Sequence, residues 1–425
     1  MKPIDDTKAK VYDLIVIGGG PAGMMTAGIA ALQKEHPKVL LLEKNPSLGK
    51  KLLITGKGRC NITTADTDIN NFVEILGKQG KFLYSALSQF DIQATIKFFN
   101  DTLGIKTKVE RGNRVFPASD SSREVLEKLT KFLRANNVEI LLNTKVKKLN
   151  VENGKIVSVD IFDKKVHAKN FVIATGGLSY PATGSTGDGF LWLKKIGHKI
   201  TNLYPALTPL KCKEEFVKDL EGLSLKNVSV SVFDSNNKKI IEKFGEALFT
   251  DDGMSGPIIL DISAKIVDLI GLKKLKLVID FKSAISEEQL DKRLQREFLA
   301  NSNKIFKNSL DDLLPKKLIP VIVELSKIEA MKSCNNITKT ERQSLLNLLK
   351  KFELTIFGFS GFEKAIITKG GVSLKEINPK NMQSKLIPNL FFAGEILDLN
   401  ASTGGYNLQV CWTTGHIAGI NFYSN

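Results

Sequence analysis

Cysteine is scarce in this 425-residue chain. The four residues, Cys60, Cys212, Cys334 and Cys411, lie so far apart that no C-x-x-C pair exists. That spacing indicates neither a disulfide framework nor a zinc site. The four histidines, His36, His167, His198 and His416, are equally scattered. No apolar run approaches the ~20 residues needed to cross a bilayer. The first ten residues, MKPIDDTKAK, carry acids where a signal peptide would carry an apolar core, so a cytoplasmic protein with no membrane partner is expected. Arginine-rich blocks and aromatic-interleaved basic motifs are also missing. Lys and Arg outnumber Asp and Glu by 61 to 45, a net charge of +16, but the excess is mostly lysine spread along the chain. That spread fits solvated faces and attraction for an anionic cofactor or substrate better than it fits a nucleic-acid partner. Nothing in the sequence specifies an oligomeric state.

What is present is a normal globular composition, 42% hydrophobic and 25% charged, with length enough for two or three domains. Residues 11–44, VYDLIVIGGGPAGMMTAGIAALQKEHPKVLLLEK, organise it. Leu14 to Ile17 reads as a buried strand, Pro21 to Gln33 as a helix and Val39 to Leu42 as a second strand. Between strand and helix, Gly18, Gly20 and Gly23 stand in G-x-G-x-x-G spacing. Glu43 closes the second strand 20 residues after Gly23. Each residue has a task in binding a dinucleotide. Gly18 permits the turn, Gly20 lets the backbone approach a pyrophosphate, and Gly23 lets the helix pack on the strands. Pro21 and Ala22 open the helix, whose free N–H groups and positive dipole end face the phosphates. Glu43 is placed to accept both ribose hydroxyls of an adenosine, and it would repel a 2′-phosphate.

Beyond the turn at Lys44–Asn45–Pro46 comes LGKKLLITGKGRCNITT, residues 48–64. This glycine-rich basic loop is suited to wrapping a pyrophosphate, its N–H groups contacting oxygens and its lysines neutralising charge. Cys60 within it reads as a small, half-buried thiol. Residues 70–105 read as helical. Residues 107–116 form a hairpin turning at Arg111–Gly112–Asn113, and Arg123 to Asn136 an amphipathic helix. Residues 145–173 read as a three-stranded antiparallel meander that returns to a buried strand, Phe171 to Ala174. That strand ends in Thr175, Gly176 and Gly177, bare backbone on which a cofactor can lie. The loop LSYPATGSTGDG, residues 178–189, has the length and position to close over it.

Residues 201 to about 365 change character, with short strand-like runs followed by lysine-faced helices over 283–353. They read as an insertion, a β-rich part carrying a helical part. The chain then returns to sheet and glycine. An apolar strand, Leu390 to Ala393, runs into GEILDLNASTGGYNLQVCWTTGHIAG, residues 394–419. Gly394 and Glu395 end that strand, and a helix begins near Leu408. This places an acid beside the ribityl chain of a flavin and a helix N-terminus beneath its ring, where the positive dipole end favours the anionic reduced form.

Six motifs, GGGPAGMMTA, TGKGRCNIT, ATGGLSYPATGSTGDG, GMSGP, GGVSLKEI and FFAGEILDLNASTGGYNLQ, follow one another over nearly the whole chain. In this the chain resembles the bacterial flavoprotein family that includes aminoacetone-oxidase-like and BaiN-like (bile-acid enone reductase) proteins. The resemblance implies an α/β fold: a discontinuous glutathione-reductase-type FAD-binding Rossmann domain with an inserted β-barrel-like and helical domain. It implies FAD held by Gly18, Gly20, Gly23, Glu43 and Lys44 at the ADP end. Lys50, Gly58, Arg59, Cys60 and Asn61 would approach the pyrophosphate and flavin. Gly394, Glu395 and the segment Thr403 to Leu408, with Gly405, Tyr406 and Asn407 in it, would hold the ribityl chain and ring, while Thr175 and Gly176 are cofactor-binding candidates from the strand end itself. Two positions depart from the pattern. Glu395 stands where the wider superfamily commonly has Asp, and Asp251 in LFTDDGMSGP stands where members often carry His, so a His-based acid/base role does not transfer.

The sequence therefore predicts FAD-binding segments at 1–200 and 366–425 around a substrate domain at 201–365. The expected activity is FAD-dependent transfer of a hydride between flavin N5 and a small organic substrate. No second G-x-G-x-x-G unit follows, so NAD(P)H is a candidate only as a transient reductant, with O₂ as the alternative electron acceptor. No catalytic residue is assigned: Tyr180, Asp251 and Tyr406 sit in glycine loops but read as structural. The alternative reading, resting on charge, is a basic flavoprotein that binds or modifies RNA.

Overall fold

A computed structural model of the chain describes residues 10–271 and 273–423. The expectation drawn from the N-terminus falls almost wholly on residues 1–9, outside the described residues. The chain divides into two compact units. One comprises Met1–Tyr204 and Ile366–Asn425, the other Pro205–Ala365.

The first unit is built on a mixed sheet. β1 (Val11–Ile17) is almost wholly apolar and pairs in parallel with β2 (Val39–Leu42) on one side and with Lys164–Ile173 on the other. Glu139–Leu141 extends the sheet beyond β2, and Leu390–Phe392 runs parallel to the last residues of Lys164–Ile173. These parallel strands are buried on both faces, which is why they read as continuous apolar runs rather than alternations. Between β1 and β2, α1 (Pro21–Ala31) lies against the sheet with nine of its eleven residues buried. The C-terminal helix Tyr406–Asn421 packs on α1, where Gly415 and Gly419 come against Ala22, Met25, Thr26 and Ile29.

The meander departs from its expected form in one respect. Its third strand and the returning buried strand are one ten-residue strand, Lys164–Ile173. The first half takes Lys155–Ile161 antiparallel and the second half takes Leu390–Phe392 parallel, so one strand serves two sheet edges in turn. The segment 70–105 is also less regular than expected. Short helices at Ile69–Ile75, Tyr84–Leu87 and Ile92–Lys97 are separated by tighter and wider turns around Gly77, Gly80 and Phe98–Thr102.

The second unit has its own core. Six antiparallel strands close into a barrel: Leu210–Cys212, Gly253–Ser255, Lys239–Thr250, Ser224–Phe233, Leu275–Asp280 and Phe352–Phe359, each beside the next. A helix, Pro257–Ile266, starts within what reads in sequence as a glycine-rich loop. The later helices Glu287–Ala300 and Lys339–Lys350 each open on a capping box, Ser286 with Gln289 and Thr338 with Glu341. No helix among the described residues is long and apolar enough to cross a membrane.

Candidate active site: a dinucleotide cleft

The carboxyl ends of β1, β2, Lys164–Ile173 and Leu390–Phe392 point the same way, and a cleft opens beyond them. This is where open parallel sheets bind their ligands. Its lining runs from the glycine turn and Glu43, past Lys50 and Lys51, to Glu395, Asn407 and Leu408.

The glycines divide their work as the spacing requires. Gly18 turns at φ +113°, and a Cβ there would sit 2.4 Å from the Ala174 carbonyl oxygen. A Cβ on Gly23 would lie 1.8 Å from the Gly18 carbonyl oxygen, so only glycine lets α1 rest on this turn. Gly20 differs: a Cβ there would meet nothing within 4 Å, because the position faces open space at the head of α1. Gly20 is the N-cap of α1, Pro21 is its first residue, and no side chain caps its free N–H groups. Those donors and the positive dipole end suit a pyrophosphate.

Glu43 closes one end of the cleft and is 8% exposed. Its Oε2 accepts the Gly19 N–H at 2.8 Å, and its Oε1 accepts the Asn45 N–H at 2.8 Å and the Asn45 side-chain amide at 2.7 Å. Three of about four acceptor positions on the carboxylate are thus engaged within the protein, so in this arrangement one remains for a ribose hydroxyl. Lys44 ion-pairs with Asp188 at 2.7 Å, and burial that would raise the Asp188 pKa is outweighed by Lys44, Thr186 and Lys145, which lower it.

The other end is built from four segments. Lys51 Nζ donates to Ser179 Oγ at 2.6 Å and to Glu395 Oε2 at 2.8 Å. Ser179 Oγ donates to Glu395 Oε1 at 2.9 Å, and the Thr368 N–H donates to the same oxygen at 2.8 Å. Thr368 Oγ1 in turn accepts the N–H groups of Leu178 and Ser179 at 2.7 and 3.1 Å. Cys411 lines this end as well, its thiol pushed up to about 12, first by burial and then by Glu395.

Of the residues singled out in sequence, Gly18, Gly20, Pro21, Ala22, Glu43 and Lys44 line the cleft, as do Lys50, Thr175, Gly176, Glu395, Asn407 and Leu408. The others stand behind it or beside it. Gly23 and Gly394 pack on Gly18 and Ala22. Arg59 lies over the Phe116 ring at 4.0 Å and pairs with Glu110 at 2.8 Å and Asp120 at 3.3 Å. Gly58 is exposed beside it. Cys60 is fully buried, which raises its thiol to about 12. The Asn61 amide, oriented to satisfy its neighbours, donates to Val115 O and Thr63 O and accepts the Gly405 N–H. It therefore ties the TGKGRCNIT loop to the head of the C-terminal helix, where Tyr406 packs on Phe72. Of the candidate acids, Tyr180 is not among the lining residues, and Asp251 lies in a turn of the other unit. The sequence reading singles out none of Asn45, Ser179 and Asp188, and it groups Lys51 with the cations of the 48–64 loop suited to a pyrophosphate, whereas Lys51 binds Glu395. For Asp188 a local signal was present, an acid opening the helix Asp188–Lys195 after GSTG. Among the described residues no cluster of His, Cys, Asp and Glu is placed to hold a metal.

This donor set fits a flavin adenine dinucleotide, with an uncapped helix head for the pyrophosphate, an acid at each end and lysines between. A model of the HI0933-like protein Rossmann domain family matches residues 12–421. The chain belongs to that family. It is 31% identical over 406 residues to a 3-dehydro-bile acid delta(4,6)-reductase of Clostridium scindens, covering 95% of this chain and 97% of the relative. It is 28% identical over 410 residues to a ribosomal RNA dihydrouridine synthase of Escherichia coli, covering 95% and 96%. The fold is shared with a 3-ketosteroid delta1-dehydrogenase of Sterolibacterium denitrificans, with a TM-score of 0.55, 12% identity, and 97% and 99% of the two chains covered. This member of the family is an FAD-dependent oxidoreductase.

Proposed function

We propose that this HI0933-like flavoprotein saturates a carbon–carbon double bond conjugated to a carbonyl. The observation that carries the reading is the chemistry common to two full-length relatives. One is named for reducing a 3-dehydro bile acid at the delta(4,6) position, the other for making dihydrouridine in RNA. Each name describes loss of a double bond that a carbonyl activates towards hydride.

Bound FAD supplies the hydride-carrying ring. The chain's own residues hold and orient it. α1 with Lys50 receives the pyrophosphate, Glu43 the adenosine ribose, and the Lys51–Ser179–Glu395 cluster the ribityl end. NAD(P)H serves as a transient reductant, since no second G-x-G-x-x-G unit exists to house it. The inserted unit, Pro205–Ala365, selects the substrate, a small organic molecule in the leading form of this reading.

A second substrate, uridine within RNA, is favoured by charge. The FAD-binding unit carries 35 Lys and Arg against 22 Asp and Glu, whereas the insertion is nearly balanced at 26 against 23. The basic surplus thus lies on the unit that handles the reaction, where it would attract phosphates.

The test is anaerobic. Purified protein should show flavin bands that bleach with NADH or NADPH, and the colour should return on adding a conjugated enone or, in the second form, unmodified RNA. Flavin that neither nicotinamide bleaches would remove the reductase reading. Reoxidation by O₂ alone would point to an oxidase.

A further inference from the structure

The segment from Gly177 to Asp188 is fastened at both ends of the cleft. At the Glu395 end, Leu178 and Ser179 give their N–H groups to Thr368, and Ser179 shares Lys51 with Glu395. At the Glu43 end, the Asn45 amide donates to the Thr183 carbonyl at 3.1 Å and Lys44 pairs with Asp188 at 2.7 Å. Thr186 donates to Asp188 Oδ2 at 2.8 Å and also receives Lys44, while Lys145 stands 3.7 Å from Oδ1. Between these ties Thr183, Gly184, Ser185 and Thr186 line the cleft.

The two fastenings differ in kind. The Glu395 end has an ion pair of its own, Lys51 with Glu395, 21% and 17% exposed, but adds hydrogen bonds from four segments around buried Ser179 and Thr368. The Glu43 end rests on Asp188 held by Lys44, 20% and 24% exposed, with the more exposed Lys145 at 3.7 Å and Thr186 between, and on one hydrogen bond from the Asn45 amide. Salt screens the partly exposed ion pair at either end, but only the Glu395 end keeps buried hydrogen bonds that salt screens far less.

We propose that Asp188 is a positioning residue for the cofactor: acting through Lys44, it latches the 177–188 segment along the dinucleotide, and opening of this latch sets the rate at which FAD leaves. The inference rests on the FAD assignment and adds to it a strap with a fixed end at Glu395 and a releasable end at Glu43. FAD departs when the releasable end lets go, and high ionic strength loosens that end.

The test follows transfer of FAD from holoenzyme to an excess of a flavin-trapping apoprotein, read as the catalytic activity the trap gains when it takes up flavin. In the unaltered protein the dissociation rate should rise with salt between about 0.05 and 1 M. Asp188→Asn should release FAD about tenfold faster at low salt and lose most of the salt dependence, matching one lost charge-assisted hydrogen bond, and Lys44→Met should do the same less completely, since Lys145 still faces Asp188. The double variant should be no faster than Asp188→Asn alone, because both substitutions act on the same tie. Lys44→Arg should restore a slow, salt-sensitive rate. Release from Asp188→Asn at the unaltered rate would overturn the latch. So would fast release that keeps its salt dependence and tracks a lowered melting temperature of the apoprotein, since that is loss of fold. A protein that neither purifies with FAD nor takes it up would remove the cofactor reading and the latch with it.

Discussion

Glu43 Oε2 accepts the N–H of Gly19 at 2.8 Å, joining the end of β2 to the glycine turn that precedes α1. The acid proposed to receive the ribose therefore also holds the glycine turn in shape. Glu43→Ala leaves the Gly19 N–H and two Asn45 donors without their acceptor. We expect FAD affinity to fall by about 1–3 kcal/mol and apoprotein stability to fall by a similar amount. Glu43→Gln should be nearly as damaging, because its NH₂ must face one of those donors. Titration with FAD and melting of the apoprotein separate the two effects. A loss of affinity with no loss of stability would show that the Gly19 tie is idle.

Gly20 and Gly23 belong to one motif but should fail differently. A side chain at Gly20 meets no protein atom within 4 Å, and its φ of −81° suits any residue. Gly20→Val should fold, melt close to the unaltered protein and purify without flavin. A side chain at Gly23 would strike the Gly18 carbonyl oxygen at 1.8 Å, so Gly23→Val should give little folded protein. Flavin absorbance per mole and circular dichroism of the two variants decide this. A yellow Gly20→Val protein would move the pyrophosphate elsewhere.

The βαβ unit was legible because its constraints are local. Strand, turn, helix and acid all fall within 34 residues, and each constrains its neighbours. The barrel was legible only in part. Three of its six strands show in the sequence, as the runs at 228–233, 239–244 and 275–281, but closure pairs the short Leu210–Cys212 with Phe352–Phe359, and no local pattern announces a partner so distant. The cluster on Glu395 was hidden for the same reason, since Lys51, Ser179 and Thr368 come to it from three remote segments. Arg59 shows the converse. Its place in a glycine-rich basic loop suggested a phosphate, yet the hairpin 107–117 and the turn after it bring Glu110 and Asp120 to it, and the guanidinium pairs there.

The insertion should be separable. Within the FAD-binding unit the Thr201 N–H donates to the Gly371 carbonyl at 2.9 Å, so the chain leaves for the insertion and returns at adjacent points. A short linker in place of 205–365 should close that gap at little entropic cost. We expect the shortened protein to bind FAD and to lose turnover of substrate. The excised piece, with its separate core, should fold alone. Turnover retained by the shortened protein would remove the insertion from substrate selection, and loss of flavin binding would show that the unit depends on it.

Acid stability should report on His416. Its ring stacks on Phe90 at 4.0 Å with planes 12° apart, its Nδ1 is buried without a partner, and burial lowers its pKa to about 4. In the unfolded chain a histidine takes up its proton near pH ~6.5. Between ~6.5 and about 4 the unfolded state therefore binds more protons than the folded one, and stability falls as pH falls through that window. The loss amounts to ~3 kcal/mol at most and levels off below the folded pKa. Burial also lowers the pKa of His198, in spite of Glu376 at 2.9 Å, so it contributes with the same sign. His416→Phe keeps the stack and removes the proton. Denaturant unfolding from pH 4 to 7 should then show a shallower slope than in the unaltered protein, with the His198 share remaining. Equal slopes would mean that His416 is hydrated and titrates normally in the folded state.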